Sequence, residues 1–587
     1  MKKLQSNLKW LLAPYLKYAR NYTIISILFW GIILPSTRYL NVIFPEVMIN
    51  TILNTDTFSK IIGVVLGFQI IFFLIPAFED FYNARIRDKA EARVEAMQKK
   101  EIYEFASKVK YEAIDQPSYY EHFTWTIENY SAKSQECFSL MEQALSAVVI
   151  ILSMFVLLAK IHPLIIVLAA LSSVLRTYGY FQYNKYYVER DKSVLENDRR
   201  LDYFHRVFYM KDYAVDLKTT CLKHILHRKY DYNIQEKEDK IENFSYDLVR
   251  WAWFSDVIYH VFMIGIILYV AYMIYSGKIS DAASYITIML SIEQLDQNMY
   301  QLFELMQDMN KLDIYADEIK AFYDAPVEEQ KTDTKELSLP YSLKLEHLYF
   351  HYPNSSFTIE DLNLNILPGQ KIAIVGENGA GKTTLMKLLL RLYEPEQGTI
   401  RINGIDIKNI PLKQLRNTVG AVPQSANIYA FSCRENLQLY AESTDDMLLK
   451  HAESVGLTDV LKKDNGNLNS EMTREFDDNG IVLSGGEVQR LALARVLTGK
   501  FGLLLLDEPS SALDPIAESK LTEDFNEKTK DITTITVAHR LSTIRNADCI
   551  YVMSNGKVIE SGTHEELMKQ NGLYKEMFTD QAKYYQT

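Results

Sequence analysis

The chain has 587 residues, of which 48% are hydrophobic and 24% are charged, and its formal net charge is -12. This length predicts several domains rather than one core. The acidic balance argues against an electrostatic nucleic-acid surface, so no nucleic-acid partner is expected. The four cysteines are scattered, without the close spacing of a zinc site, and are expected to be free thiols.

Six apolar stretches in the first half are long enough to cross a bilayer, for which about twenty residues are needed. They are residues 22–48, 59–81, 138–160, 163–182, 253–275 and 281–301. Lys and Arg are concentrated in the N-terminal flank and in two long connections, around residues 85–100 and 190–211. Because such residues favour the cytoplasmic side, the sequence predicts an all-α, multi-pass membrane domain with a cytoplasmic N-terminus.

The two long connections are helical in composition, and we interpret them as extensions of the membrane helices into the cytosol. Turns are predicted at Asp115–Tyr120 and near Lys211–Leu217, at the tips of these extensions. The tips are candidates for passing motion to another domain. The alternative is that they are plain helical hairpin connections.

The last apolar stretch has a polar, acidic face. At 100° per residue, Glu293, Asp296 and Tyr300 fall with other polar residues within an arc of about 120°. A carboxylate at mid-bilayer costs at least about 2.5 kcal/mol, so the two acids are expected to face water or a partner. One interpretation is a cavity that favours cationic or amphipathic compounds. The alternative is that the two acids pair with a buried cation such as Arg38. The candidate residues for the cavity are Glu293, Asp296, Tyr300 and Arg38.

The chain changes character after residue 324. Residues 325–342 are charged and poor in large apolar residues, which is typical of a linker. Between residues 343 and 587, short β-branched runs alternate with amphipathic helical stretches, as in an α/β domain. The predicted organisation is a membrane domain at 1–324, a linker at 325–342 and an α/β domain at 343–587.

A glycine-rich turn joins the predicted strand Lys371–Val375 to a predicted helix. Glycines there let the backbone N–H groups reach a polyphosphate, Lys382 adds a positive charge, and the Thr383 hydroxyl can bind Mg²⁺. The predicted phosphate-binding residues are Gly376, Glu377, Asn378, Gly379, Ala380, Gly381, Lys382, Thr383 and Thr384.

Two further motifs support phosphate chemistry. The predicted strand Leu503–Leu506 ends in Asp507, which can hold Mg²⁺, and Glu508, which can orient or deprotonate an attacking water. The run Ser484–Glu487 opens a predicted helix and is a second candidate anion site. The same run satisfies the capping-box pattern, so helix-start chemistry is the alternative.

Together these motifs resemble those of an ATP-binding cassette (ABC) exporter half-transporter, in which six membrane helices are fused to one nucleotide-binding domain. The resemblance extends over essentially the whole chain. It implies a multidomain fold with an all-α membrane domain and an α/β P-loop ATPase domain. It also implies ATP and Mg²⁺ as cofactors.

The resemblance implies roles for individual residues. Tyr352 resembles the aromatic residue that stacks on adenine. Gln424 resembles the glutamine that contacts Mg²⁺ and the attacking water, and His539 resembles the switch histidine. The expected catalytic residues are Glu508, His539 and Gln424, and the expected Mg²⁺ ligands are Thr383, Gln424 and Asp507. Ser484 and Gly486 resemble the signature residues that close on the γ-phosphate of a partner chain's ATP, and Asp514 resembles the cross-dimer loop. The expected ATP-binding residues include these three together with Gly485 and Glu487.

The function implied by the resemblance is ATP-driven export across the plasma membrane by alternating access. The expected cargo is a peptide or an amphipathic or cationic small compound. A homodimer with two shared ATP sites is expected, with the ATPase domain in the cytoplasm. The alternatives are a lipid flippase, one subunit of a heterodimeric exporter, and a cassette-gated regulator without cargo.

Overall fold

The computed structural model describes residues 2–54, 57–161, 163–276, 282–329, 337–353, 357–457, 468–509, 521 and 524–583. The chain divides into two compact units. Unit 1 comprises Met1–Lys108 and Gln116–Ala325, and unit 2 comprises Val109–Asp115 and Pro326–Thr587. Unit 2 therefore includes a short segment from the N-terminal half, which the predicted boundaries assign to the membrane domain.

Unit 1 is helical through most of its described residues. Its helices are α1 (Lys2–Tyr18), α2 (Arg20–Leu28), α3 (Leu34–Asn54), α4 (Phe58–Phe81), α5 (Asp88–Ala106), α7 (Pro117–Ile161), α8 (Pro163–Tyr209), α9 (Ala214–Thr219), α10 (Leu222–Tyr275) and α11 (Ala282–Tyr323), while α6 (Tyr111–Ile114) belongs to unit 2. π-Helical turns at Phe29–Ile33 and Tyr82–Arg87 lie between consecutive α-helices. The four longest helices described, α7, α8, α10 and α11, each combine an apolar stretch with a polar one. That the polar parts extend into the cytosol stays a prediction.

Five helical stretches of the described chain are long and apolar enough to cross a membrane, by length and composition. They are Arg20–Asn54, Phe58–Ala106, Pro117–Ala159, Pro163–Tyr209 and Leu222–Tyr275. Helix α11, as far as the structure describes it, is not among these five stretches. Acids such as Glu293 and Asp296 and amides such as Gln297 lower its mean hydropathy. The sixth span stays a prediction.

The antiparallel pair α8 and α10 shows how polar and small residues position the helices of unit 1. A Cβ on Gly179 would lie 2.3 Å from Ser255 Oγ, so glycine permits the close approach. Further along, the buried Asn197 and Asn233 bond to each other, with Asn197 Nδ2 donating to Asn233 Oδ1 at 3.0 Å. A shift in register would separate these two amides, so their pairing favours this alignment.

The described residues of unit 2 form two sheets. The strands described are β1 (Leu343–His351), β2 (Thr358–Ile366), β3 (Lys371–Gly376), β4 (Gln397–Ile402), β5 (Ile405–Asp406), β6 (Val419–Val422), β7 (Leu503–Asp507), β8 (Thr533–Val537), β9 (Cys549–Ser554) and β10 (Lys557–Gly562). One sheet has the order β2-β1-β4-β5 and is antiparallel. The other has the order β10-β9-β3-β8-β7-β6 and is parallel except at β10.

The parallel sheet sets the position of the functional motifs. The helices described in unit 2 after α6 are α12 (Lys382–Leu389), α13 (Leu412–Thr418), α14 (Cys433–Leu437), α15 (Asp445–Ser454), α16 (Gly485–Leu497), α17 (His564–Gln570) and α18 (Leu573–Lys583). Every residue of β7 is buried, and β3 is buried after its first residue, as expected for strands inside a parallel sheet. Their carboxyl ends, Gly376 and Asp507, lie on one edge, where ligands bind in open α/β sheets.

The two predicted turns differ in how well their positions agree with the structure. The 3₁₀ turn Lys211–Tyr213 and α9 overlap the second predicted turn. The first short helix, α6, precedes the predicted turn at Asp115–Tyr120, because α7 already begins at Pro117. Proline is favoured in the first turn of a helix, where its missing N–H costs nothing. Pro117 therefore starts a helix rather than marking the middle of a turn.

Candidate functional site

The glycine-rich turn between β3 and α12 forms a tight loop in unit 2. Gly376 has φ +152°, and a Cβ there would lie 2.1 Å from the Met553 carbonyl oxygen. Gly381 has φ +102°, and a Cβ there would lie 2.7 Å from the Phe357 ring. Both positions therefore require glycine for conformation and for space. The loop delivers the chain to the N-terminus of α12, where backbone N–H groups favour anions.

Lys382 lies inside this loop. Its side chain is buried, and Nζ donates hydrogen bonds to the carbonyl oxygens of Gly376 at 2.7 Å and Glu377 at 2.9 Å. Burial lowers the pKa of Lys382, while the nearby carboxylates of Glu508 and Asp507 oppose that shift. The ammonium group is thus held where a bound polyphosphate would replace weaker carbonyl partners with charged oxygens.

The residues proposed to hold Mg²⁺ form an oxygen-rich contact. Thr383 Oγ1 donates to Asp507 Oδ2 at 3.1 Å, while Asp507 Oδ1 is buried without a hydrogen-bond partner among the described residues. Burial raises the pKa of Asp507, and the bond from Thr383 opposes the shift. A hydroxyl and an unpaired carboxylate oxygen are ligands that Mg²⁺ prefers, so this pair fits the ion. Gln424, the third expected ligand, is exposed.

Replacing Asp507 with Asn is expected to raise the Mg²⁺ concentration needed for half-maximal nucleotide binding by about tenfold or more, because an amide is a weaker ligand. Calorimetric titration of ATP at a series of Mg²⁺ concentrations measures this without relying on turnover. The exposed Asp446→Asn serves as the control. An unchanged Mg²⁺ dependence in Asp507→Asn would remove Asp507 from the metal site.

The side chains of Glu508 and His539 are in contact just beyond the carboxyl ends of the neighbouring strands β7 and β8. Glu508 Oε1 lies 2.7 Å from His539 Nε2, and the Glu508 side chain is only 13% exposed. Glu508 has φ +50°, and its backbone N–H donates to the Val537 oxygen at 3.0 Å. A positive φ at a residue other than glycine is strained, and such strain is common at functional sites. The sequence motifs name both residues but do not predict their contact.

Tyr352 and the signature residues lie on other elements of unit 2. Tyr352 follows β1, and its hydroxyl donates to Thr384 Oγ1 on α12 at 3.2 Å. Ser484 caps α16 in the predicted capping box. Ser484 N–H donates to Glu487 Oε2 at 2.7 Å, and Glu487 N–H donates back to Ser484 Oγ at 3.4 Å. Gly485 and Gly486 are the first residues of α16, whereas Asp514 lies outside the described residues.

Unit 1 contains a separate cavity of about 690 Å³ among α8, α10 and α11. It is lined by Arg176, Tyr180, Tyr183, Tyr187, Ala252, Asp256, Asp296, Gln297, Tyr300, Phe303, Glu304, Gln307, Asp308 and Lys311. Of the four predicted candidates, Asp296 and Tyr300 line this cavity. Glu293 and Arg38 are exposed and are not among its lining residues.

Asp296 has a cationic partner that differs from the one suggested by the sequence. Arg176 pairs with Asp296 and also lies 3.7 Å from Asp256 Oδ1. The partner suggested from sequence is Arg38, so the structure corrects that choice. The available signal was an arginine within the apolar stretch 163–182, where a charge normally requires a partner.

Comparisons with known proteins agree with this geometry. Residues 359–511 match the family described as ABC transporter. A solved structure described as "Structure of a bacterial Atm1-family ABC exporter with ATP bound" has a TM-score of 0.78, covering 96% of this chain and 98% of that chain at 20% identity. At this identity the likeness shows the fold.

Two curated relatives show how varied the similar proteins are. The "Probable multidrug resistance ABC transporter ATP-binding/permease protein YheI" of Bacillus subtilis is 35% identical over 283 residues, which are 48% of this chain and 47% of that protein. The "ATP-dependent lipid A-core flippase" of Methylobacillus flagellatus is 38% identical over 243 residues, 41% of each. The chain spans about half or less of the length of the curated relatives it matches.

The predicted resemblance and fold class are confirmed by these findings. Residues 359–511 match the ABC transporter family, and the chain shares the fold of the solved ABC exporter, with a helical unit and an α/β unit.

Proposed function

We propose that this chain is an ATP-driven exporter that hydrolyses ATP in unit 2 and moves cargo through unit 1 by alternating access across the plasma membrane. The ABC transporter domain and the exporter fold support this function. The observation that carries it is the position of Glu508. This carboxylate contacts His539 and directly follows Asp507, at the sheet edge where the phosphate loop also begins.

The residues of unit 2 can be assigned to steps of hydrolysis. The loop N–H groups and Lys382 bind the polyphosphate, and Mg²⁺ at Thr383 and Asp507 would neutralise charge on the phosphates. Glu508 accepts a proton from water as its oxygen attacks the γ-phosphorus, and the bond to the β–γ bridging oxygen breaks to release ADP and phosphate. His539 holds the Glu508 carboxylate in one orientation.

We propose that two copies of the chain share their ATP sites. The first N–H groups of α16 at Gly485 and Gly486 form a second helix N-terminus suited to phosphate, and they would serve ATP held by the partner. Because Glu508, His539 and the signature residues are all present, a homodimer is the proposed assembly. A purified chain that hydrolyses ATP only after a different subunit is added would instead support a heterodimer.

The cavity in unit 1 supports a cationic, aromatic cargo. Its lining has four carboxylates, at Asp256, Asp296, Glu304 and Asp308, and two cations, at Arg176 and Lys311. Arg176 pairs with Asp296, and Lys311 Nζ lies 3.4 Å from Asp308 Oδ1. Arg176 also lies 3.7 Å from Asp256 Oδ1, so two carboxylates share this one cation. The described lining therefore has more carboxylates than cations and carries an excess of negative charge.

Tyrosine rings of the same cavity form cation–π contacts with basic side chains of the protein. The Arg176 guanidinium lies 5.3 Å from the centre of the Tyr180 ring, and Lys311 Nζ lies 4.9 Å from that of Tyr187. Such cation–π contacts lie within the usual limit of about 6 Å. The combination of tyrosines with an excess of carboxylates favours aromatic organic cations over anions or uncharged sugars.

The combined change Asp256→Asn and Glu304→Gln is expected to reduce transport of an aromatic cation such as ethidium by about tenfold, because the cavity loses its excess negative charge. Transport into inside-out vesicles is compared with that of an uncharged aromatic compound of similar size, which should change little. Glu238→Gln, an exposed acid on α10, is the control. Equal loss for both compounds would contradict recognition of the positive charge.

A lipid flippase is the second candidate, favoured by the name of the Methylobacillus flagellatus relative. It predicts that lipid alone stimulates ATP hydrolysis and that labelled lipid changes leaflet in reconstituted vesicles. A regulator without cargo would show ATP hydrolysis and no transport of any compound in the same vesicles.

A further inference from the structure

The segment Val109–Asp115 links two helices of unit 1 along the chain but packs as part of unit 2. Its backbone is held by a hydrogen bond from Lys110 N–H to the Pro326 oxygen at 2.9 Å and by a bridge between Val109 and Val327. The segment is therefore continuous in the chain with α5 and α7, and its own backbone is anchored within unit 2.

A lysine and three tyrosines connect this segment to the phosphate-loop helix. Lys387 Nζ, on α12, lies 5.4 Å from the ring centre of Tyr111, 5.5 Å from that of Tyr393 and 5.6 Å from that of Tyr352. All three distances are within the range of cation–π attraction. We call these four residues the tyrosine cage.

The rings of the tyrosine cage also contact one another. The ring centres of Tyr352 and Tyr393 are 5.1 Å apart, and those of Tyr111 and Tyr393 are 5.7 Å apart, both with edge-to-face geometry. Asp115, on the same segment as Tyr111, contacts two members of the cage, Tyr393 and Lys387. The Tyr393 hydroxyl donates to Asp115 Oδ2, and Lys387 Nζ lies 3.7 Å from the same oxygen. The segment thus contributes both a ring and a carboxylate to one lysine.

Helix α12 brings this cage to the nucleotide site. Thr384 accepts the hydrogen bond of the Tyr352 hydroxyl, and Lys387 lies one turn further along the same helix. Residues three apart share a face of a helix, so Tyr352 is held by two groups of a single rigid element. The first residue of that element is Lys382, in the phosphate loop.

We propose that Lys387 is a positioning residue that couples stacking of the nucleotide base on Tyr352 to docking of segment Val109–Asp115. This inference rests on the proposed function, in which Tyr352 contacts adenine. A base stacked on Tyr352 restricts its ring, so the shared lysine and Tyr393 are held in the arrangement that binds Tyr111 and Asp115. Coupling is reciprocal, so docking of the segment strengthens binding of the base by the same factor.

In this proposal, docking of segment Val109–Asp115 responds to binding of the nucleotide base and not to binding of the phosphates. A triphosphate without a base occupies the phosphate loop but leaves Tyr352 without a stacking partner. The coupling therefore distinguishes ATP from inorganic tripolyphosphate, whereas docking driven by phosphate alone does not.

Hydrogen–deuterium exchange of the full-length protein tests this inference. All proteins carry Glu508→Gln to prevent turnover, and saturation by each ligand is first established by calorimetry. ATP is expected to slow exchange of the amides in Val109–Asp115 by about fivefold more than tripolyphosphate does. Lys387→Met should abolish this difference at saturating ATP, whereas Lys387→Arg, which keeps the cation, should retain most of it.

The exposed Lys413→Met is the matched control and should behave as the parent. Tyr111→Leu, which removes a ring of the cage and leaves α12 intact, should abolish the difference as Lys387→Met does. Equal protection by ATP and tripolyphosphate in the parent, or ATP-specific protection that persists in both variants, would overturn the coupling while leaving ATP binding intact. Failure of the parent to bind ATP at all would overturn the proposed function as well.

Discussion

Glu508→Gln is expected to lower the rate of ATP hydrolysis by about a hundredfold or more while leaving ATP binding nearly unchanged. The substitution keeps the size of the side chain but removes the carboxylate that accepts the proton of the attacking water, and a positioned base typically contributes about 10²–10⁴ in rate. In the part of the chain that the structure describes, the Glu508 side chain contacts His539 rather than forming a hydrogen bond to the phosphate loop. The ground-state affinity for ATP should therefore be retained.

Single-turnover hydrolysis and calorimetric ATP binding separate these two effects. Glu565→Gln, an exposed change on α17, is the control for loss of a negative charge. The amide introduced by Glu508→Gln should still contact His539, so the fold of the strand ends is expected to survive. Near-normal hydrolysis by Glu508→Gln would remove Glu508 from the catalytic step.

Lys382→Met is expected to weaken ATP binding by about a hundredfold, whereas Glu508→Gln should leave ATP binding nearly unchanged. Loss of a buried cation that faces an anionic ligand costs about 2–5 kcal/mol, and 1.4 kcal/mol corresponds to tenfold in affinity. The variant also removes two hydrogen bonds from an ammonium group to the Gly376 and Glu377 carbonyl oxygens. The free protein should therefore lose stability as well, by about 1–3 kcal/mol.

The two consequences of Lys382→Met are measured separately. Calorimetry gives the ATP affinity at a temperature where the variant is fully folded, and thermal unfolding without nucleotide gives the stability. Lys413→Met, on the exposed side of α13, should change neither. An unchanged ATP affinity in Lys382→Met would show that Lys382 stabilises the loop but does not bind the phosphates.

Together these two variants separate binding from chemistry. Lys382→Met is expected to impair every step that requires bound nucleotide, whereas Glu508→Gln is expected to stop the reaction after nucleotide has bound. Transport by either variant at the normal rate would contradict coupling of export to hydrolysis in unit 2.

Much of the site is readable from local sequence because each motif completes a local structure. The glycines at 376 and 381 stand where the backbone has positive φ and where a Cβ would clash, and the run Ser484–Glu487 closes its own capping box. The buried strand that ends in Asp507 and Glu508 is likewise predicted by its apolar run. These features depend on neighbours in the chain, so the phosphate-binding motifs and the helical and α/β halves can be read from the amino-acid order. The exporter fold class is what the resemblance of these motifs to a known family implies.

Contacts between distant parts of the chain arise only when the elements pack together. The pairing of Asp296 with Arg176, the contact of Glu508 with His539 and the placement of Tyr111 against Lys387 join residues on different elements. A hydrophobic or polar pattern states which face of a helix or strand is buried, but several partners can satisfy the same face. The tertiary structure determines which partner is present, because one arrangement both fills the core and pairs the buried charges.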